Sequence, residues 1–151
     1  MRHHYIKFLM LMILPLVIIS CGRKKPEPIA YGKDSCSECK MTIIDPKFGG
    51  EIITKKGKIF KFDDTHCIAK FMERRAVEMG SIHKTYFANY NKSGEWLEVE
   101  KAEFVVSSQF KSPMAGNAAA FASKAEADKK SAELAGSKTT NWATLYNILI
   151  K

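Results

Sequence analysis

The stretch "GGEIITKKGKIFKFDDTHCIAKFMERRAVEMG", residues 49–80, carries the clearest structural signal in the chain. Two β-rich runs flank "KKG", a pattern that predicts a hairpin with Gly57 as the turn residue. In the second run Phe60 and Phe62 share one face and Lys61 takes the other. A helix follows, with Asp63 or Asp64 as its N-cap and Gly80 as its stop. Ile68, Phe71, Met72, Ala76 and Met79 recur at helical spacing and form its expected buried stripe. Strand, strand, helix is therefore the first unit of the fold.

Working outward, "SIHKTYFANY" (81–90) reads as a further strand ending in the turn-like "NKSGE". "EWLEVEKAEFVVSSQ" supplies strand material again, and "FKSPMAGN" (110–117) a loop. "AAAFASKAEADKKSAELAG" (118–136) reads as a helix, and "NWATLYNILIK" as a closing helix or strand. "HCIAKFMERRA" and "GNAAAFASKAE" echo each other, each with a phenylalanine four residues after a polar helix start. The expected fold is α+β: a single compact domain of two related ββα-type units.

Upstream of the domain, residues 1–20 read as a targeting segment. "MRHHYIK" is basic, "FLMLMILPLVIIS" is apolar but short for a membrane span, and Cys21 follows directly. That is a lipoprotein signal peptide with Cys21 as the lipidated residue, and several acyl chains make a stable anchor. Residues 21–33, with "GRKKPEPIAYGK", read as a lipidated N-terminus and flexible basic tether, and residues 34–151 as the domain. Of the formal net charge of +8, two cations lie in the signal segment and four, against Glu27, in the tether. The domain itself keeps about +3, so the high pI argues for contact with anionic lipid and against nucleic acid. The expected location is the periplasmic side of a bacterial membrane.

Three cysteines remain beyond Cys21: Cys36, Cys39 and Cys67. One disulfide with one buried free thiol is the plain structural alternative for an odd count in an exported chain. A structural zinc site lacks a second well-spaced pair, because His66 and Cys67 are adjacent. A thioredoxin-type redox pair would open a helix, whereas "MTIID" and Pro46 follow this pair. His66 and His83 read as a helix-start residue and a strand residue. Met41, two residues after Cys39, would share its face in an extended segment, and a thioether suits Cu(I) better than zinc. Met114, in a Pro/Gly loop, has no helical stripe to join; donor and packing roles stand level for it.

"DSCSECKMTIID" (34–45), "GKIFKFDDTHCIAKFM" and "KSPMAGNAAAFASKAEA" together resemble the NosL family. These are membrane-anchored periplasmic lipoproteins that bind Cu(I) and serve the maturation of nitrous oxide reductase. The resemblance implies copper donors Cys39, Met41 and Met114, with Cys36 and Cys67 as further cysteines around the motif. Lys40 stands where much of the family has glycine. It also implies two related ββα-type units likened to a domain of organomercurial lyase. The expected function is a membrane-anchored copper chaperone, not an enzyme, handing Cu(I) to apo nitrous oxide reductase or another copper acceptor. The competing readings are a thiol-dependent organometal-cleaving enzyme, with Cys39 or Cys67 as nucleophile and Asp63 or Asp64 as proton donor, and a disulfide-stabilised structural lipoprotein.

Overall fold

A computed structural model of the chain describes residues 24–151; the expected signal peptide and Cys21 lie outside the described residues. Two antiparallel sheets are built on one plan. In the first, β1 (Gly50–Thr54) pairs with β2 (Ile59–Phe62) on one side and β3 (Ile82–Ala88) on the other, and β4 (Trp96–Glu98) extends the β3 edge. In the second, β5 (Glu103–Val106) is flanked by β6 (Ala118–Phe121) and β7 (Lys138–Thr140). Helix α1 (Thr65–Glu73) links β2 to β3, and α2 (Lys124–Glu133) links β6 to β7 in the same way. Each unit is thus strand, strand, helix, strand with its first strand central. Helix α3 (Trp142–Leu149) closes the chain, and the paired bridge Asn89–Ala120 joins the sheets.

The hairpin forms as its sequence dictates. Gly57 takes φ 82°, which glycine adopts at no steric cost, and its N–H donates to Thr54 O at 2.8 Å. Phe60 and Phe62 both pack on Phe71 of α1, with ring centroids 4.9 and 5.1 Å apart. Phe87 meets Phe104 of the other unit edge-on at 4.9 Å, and Trp142 of α3 packs on both. These aromatic contacts join the halves through a shared cluster, and Phe48, Val105, Phe110 and Phe121 form a second one.

Three expectations need correction. Helix α1 ends at Glu73, because Arg75 turns left-handed (φ 52°) and the Ala76 N–H reaches back to Phe71 O. Ile68, Phe71 and Met72 are buried, but Ala76 and Met79 are exposed and Val77 enters the core instead. Residues 118–121 are strand β6, not helix: alanine-rich composition favours a helix, yet these four side chains are fully buried against β5. The true internal echo is Phe62-Asp63-Asp64 and Phe121-Ala122-Ser123, a buried phenylalanine two residues before the N-cap of each helix. Third, residues 27–29, inside the stretch read as a flexible tether, lie against the first sheet. Ile29 is buried, Lys61 Nζ donates to Pro28 O (3.2 Å) and pairs with Asp34 (2.7 Å), and the Glu27 N–H donates to Glu51 Oε2 (3.0 Å).

Glu51, in the central strand β1, has no exposed surface, and its Oε1 has no hydrogen-bond partner among the described residues. Burial pushes its carboxyl up to about 7 from an ordinary 4.5. A raised carboxyl makes the folded state hold a proton that the unfolded chain has already lost. Stability is therefore full below about pH 4.5 and falls as pH rises towards 7, by on the order of 2–3 kcal/mol. Glu51→Gln should flatten this slope in denaturant melts between pH 4.5 and 7.5. An unchanged slope would show that Glu51 is ionised when folded.

Candidate metal centre

Residues 32–43 form a narrow loop that presents the two N-terminal cysteines. Its stem is held by Gly32 N–H to Ile43 O (2.8 Å), Ile43 N–H to Asp34 O (2.9 Å) and Cys36 N–H to Met41 O (2.8 Å). Its tip is closed by Lys40 N–H to Cys36 O (3.1 Å) and docked on β2 by Ser37 N–H to Lys61 O (2.7 Å). Cys39 therefore lies in a turn, not in the extended segment expected from its sequence. Lys40 makes that turn with φ 66°, the left-handed region where glycine is at ease and an L-residue costs about 1–2 kcal/mol. A glycine there would meet no such cost. Lys40→Gly should stabilise the fold, after glycine's greater unfolded-state entropy, by about 0.5 kcal/mol, or roughly 2 °C in melting temperature. A lower melting temperature would mean that the Lys40 Nζ bond to Ser37 O (2.6 Å) outweighs the strain.

Helix α1 supplies the opposite wall. Asp64 caps it, its Oδ1 accepting the His66 N–H at 2.8 Å, and Cys67 sits in its first turn, 1% exposed. The consecutive aspartates divide the work: Asp64 serves the helix, and Asp63 turns to the cysteines. Cys36, Cys39, Asp63 and Cys67 each offer a ligand atom, and these four atoms lie within 4.8 Å of one another. All three cysteines are free thiols. The Cys39 thiol points at Asp63, 3.5 Å from Oδ2.

The three thiols differ in acidity. Hydrogen bonding from Cys67 holds Cys36 down to about 6, helped by backbone bonds at Asp63 and Cys39 and opposed by burial. Burial, with the charges of Cys36 and Asp63, pushes Cys39 up to about 11. Cys67 is raised further, by its bond to Cys36 first and by burial second. The cluster thus sets one thiol apart from the other two, Cys36 held down and Cys39 and Cys67 pushed up. Any metal that takes the other sulfurs must displace their protons.

The loop 111–117 arrives from the second unit. Asp64 Oδ2 accepts the Met114 N–H at 2.8 Å, so one carboxylate ties the loop to the cap of α1. Ser112 Oγ accepts the Asn117 N–H at 2.8 Å, and Ala115 and Asn117 both take positive φ (57° and 49°). Gly116 is the contact point: a Cβ there would run into the Asp64 carboxylate and come within 2.9 Å of Thr65 Oγ1. The residue after Cys39 and the residue after Met114 are both left-handed, a strain that a functional loop retains. Gly116→Ala should lift this loop off α1 and weaken binding of any ion that uses Met114; a titration with unchanged affinity would show that the loop can yield.

The structure places the expected site residues as follows. Cys36, Cys39 and Cys67 converge, so Cys36 and Cys67 belong to the cluster rather than lying around it. Met114 is half-buried and packed against the same core as Cys36 and Cys67. Met41 stands beside the loop stem, 56% exposed. Asp63 was legible in the sequence only as a helix cap or proton donor; the doubled aspartate was the available signal.

The family model for NosL matches residues 29–147. The chain belongs to the NosL family. A search of curated proteins found no match. Among solved structures, the crystal structure of the copper chaperone NosL from Shewanella denitrificans is similar, with a TM-score of 0.69 and 21% identity over 80% of this chain and 95% of that one. At that identity the likeness establishes the NosL fold, two sheets with the helices described above. Within the NosL fold of this chain, the Cys3Asp cluster is a group that could hold a metal ion.

Proposed function

We propose that the chain is a Cu(I) carrier anchored by a lipid on Cys21 to a bacterial membrane and facing the periplasm. The observation that carries this reading is the convergence of three thiols, with the Met114 loop tied through its backbone to the cap of the helix that carries Cys67. Thiolates and thioethers are soft donors that favour Cu(I). Cys39, Met41 and Met114 would hold the ion with few donors and an exposed side, because Cys39 is half-exposed and Met41 largely so. An acceptor's ligand can then enter before the carrier's donors leave. Family membership supports apo nitrous oxide reductase as the acceptor. The basic tether and anchor would raise the effective concentration of the carrier at the membrane.

The test is anaerobic titration of the reduced protein with Cu(I) against a competing chelator. Stoichiometric retention that weakens in Met41→Ala and Met114→Ala supports the carrier; unchanged affinity in both variants refutes that ligand set. Binding should weaken on acidification, since protons compete with the ion for the Cys39 sulfur. One observation favours a second reading, thiol-dependent cleavage of a carbon–metal bond: the Cys39 thiol and Asp63 are in contact, as a proton donor to carbon would require. Turnover of an organomercurial by the reduced protein would establish it.

A further inference from the structure

Among the described residues, Glu51 is a buried carboxyl that the copper reading leaves unused. It stands in the central strand β1, its Oε2 accepting the Glu27 N–H at 3.0 Å and its Oε1 without a partner. Lys61 of β2 and Tyr86 of β3 stand opposite it in register and close its flanks. The cover over this face is the segment 27–31. It is held by the Glu27 N–H on Glu51, by Lys61 Nζ on Pro28 O (3.2 Å) and by the burial of Ile29. The flanking strands are fixed by their ladders, so water reaches Glu51 by the lifting of this segment.

The neighbouring charges do not stabilise an ionised Glu51. Lys61 attracts its charge, but that ammonium already pairs with Asp34 at 2.7 Å, and Glu27 and Asp34 repel it. Tyr31, on the segment, feels Glu51 and Asp45, and burial first of all raises its phenol. On β3 and β4, Lys84 is engaged by Glu98 (3.1 Å) and Glu100 (3.3 Å). Losing its proton would leave Glu51 a buried charge whose cationic neighbour is already taken, a state that contact with water relieves.

We propose that residues 27–31 are a strap latched by the protonated Glu51 carboxyl, and that ionisation of Glu51 lifts the strap from the first sheet. No metal takes part, so the latch and the copper reading stand or fall separately. The seated strap holds the carboxyl up to about 7, and lifting returns it towards an ordinary 4.5. Below pH 4.5 both states carry the proton and the strap is at its tightest. As pH rises the lifted state loses its proton first, so lifting is favoured until about pH 7, where the seated state ionises too.

The strap runs directly into the cysteine loop, and Asp34 is the joint. Its side chain accepts the Ala30 N–H at 2.9 Å and pairs with Lys61, while its carbonyl accepts the Ile43 N–H of the loop stem. Lifting therefore loosens the end of the loop that leads to Cys36 and Cys39. It also lengthens the chain ahead of the domain by residues 27–31, roughly 17 Å when extended.

The test is hydrogen exchange by mass spectrometry on the reduced, metal-free full-length chain in detergent between pH 5 and 7. The intrinsic pH dependence of exchange is divided out. Peptides covering residues 27–36 should exchange faster as pH rises, by more than about tenfold across that range, and those covering β5 should stay slower at every pH. Glu51→Gln should flatten the profile of residues 27–36, because its amide keeps an oxygen for the Glu27 N–H and has no proton to lose. A flat profile in the unaltered chain overturns the latch. Equal rates and slopes in residues 27–36 and β5 overturn it too, since the opening would then be global. A slope that persists in Glu51→Gln assigns the switch to another group. The unaltered chain decides the first two results, so an unstable variant does not shield the latch from refutation.

Discussion

Cys39→Ser should lower Cu(I) affinity by at least about a hundredfold while leaving the fold in place. Changes that merely reorient a ligand cost roughly ten- to a hundredfold in metal affinity, and this change removes the donor itself. A hydroxyl is harder than a thiol and does not ionise near neutral pH, so serine offers Cu(I) almost nothing. The fold should survive because Cys39 lies half-exposed in a turn held by backbone bonds. The measurements are the chelator competition and far-ultraviolet circular dichroism. Wild-type affinity in the variant would remove Cys39 from the site.

Asp64→Asn should destabilise the protein by about 3–5 kcal/mol, although the side chains have nearly the same shape. Asp64 has no exposed surface, and both its oxygens accept: Oδ1 from the His66 N–H at the start of α1, Oδ2 from the Met114 N–H of the second unit. Asparagine can offer an oxygen to only one of them. Its amide nitrogen then faces the other N–H, leaving two buried donors opposed. The same change releases the Met114 loop, so copper affinity should fall together with the melting temperature. Asp63→Asn makes the contrast, because Asp63 faces the thiols and not the loop. Equal stability in wild type and Asp64→Asn would show that the loop and helix are not held by this carboxylate.

Much of this fold is written locally. The hairpin at Gly57, the alternation of Phe60, Lys61 and Phe62, and the aspartate cap are short-range choices that burial then reinforces. The errors arose where tertiary context decides. Ala118–Phe121 reads as helix on propensity, but its pairing with β5 makes it a strand. Met79 fits a helical stripe that ends six residues earlier, at Glu73, with the left-handed Arg75 just beyond. At the site, spacing put Cys39 and Met41 on one face of a strand; the left-handed Lys40 makes a turn there instead. The convergence of Cys36 with Cys67, thirty-one residues apart, depends on the loop docking to β2 through Ser37 and Lys61. No local pattern encodes that contact. Residue types pointed to soft-metal chemistry, while the fold alone showed which of the cysteines meet.

The most direct measurement is copper-edge X-ray absorption on the Cu(I)-loaded full-length protein, after challenge with a competing chelator. The predicted result is retained copper with a shell of sulfur only, diminished by Met114→Ala. Copper surrendered to the chelator, or a shell of nitrogen and oxygen, would contradict a soft-sulfur Cu(I) centre in this fold.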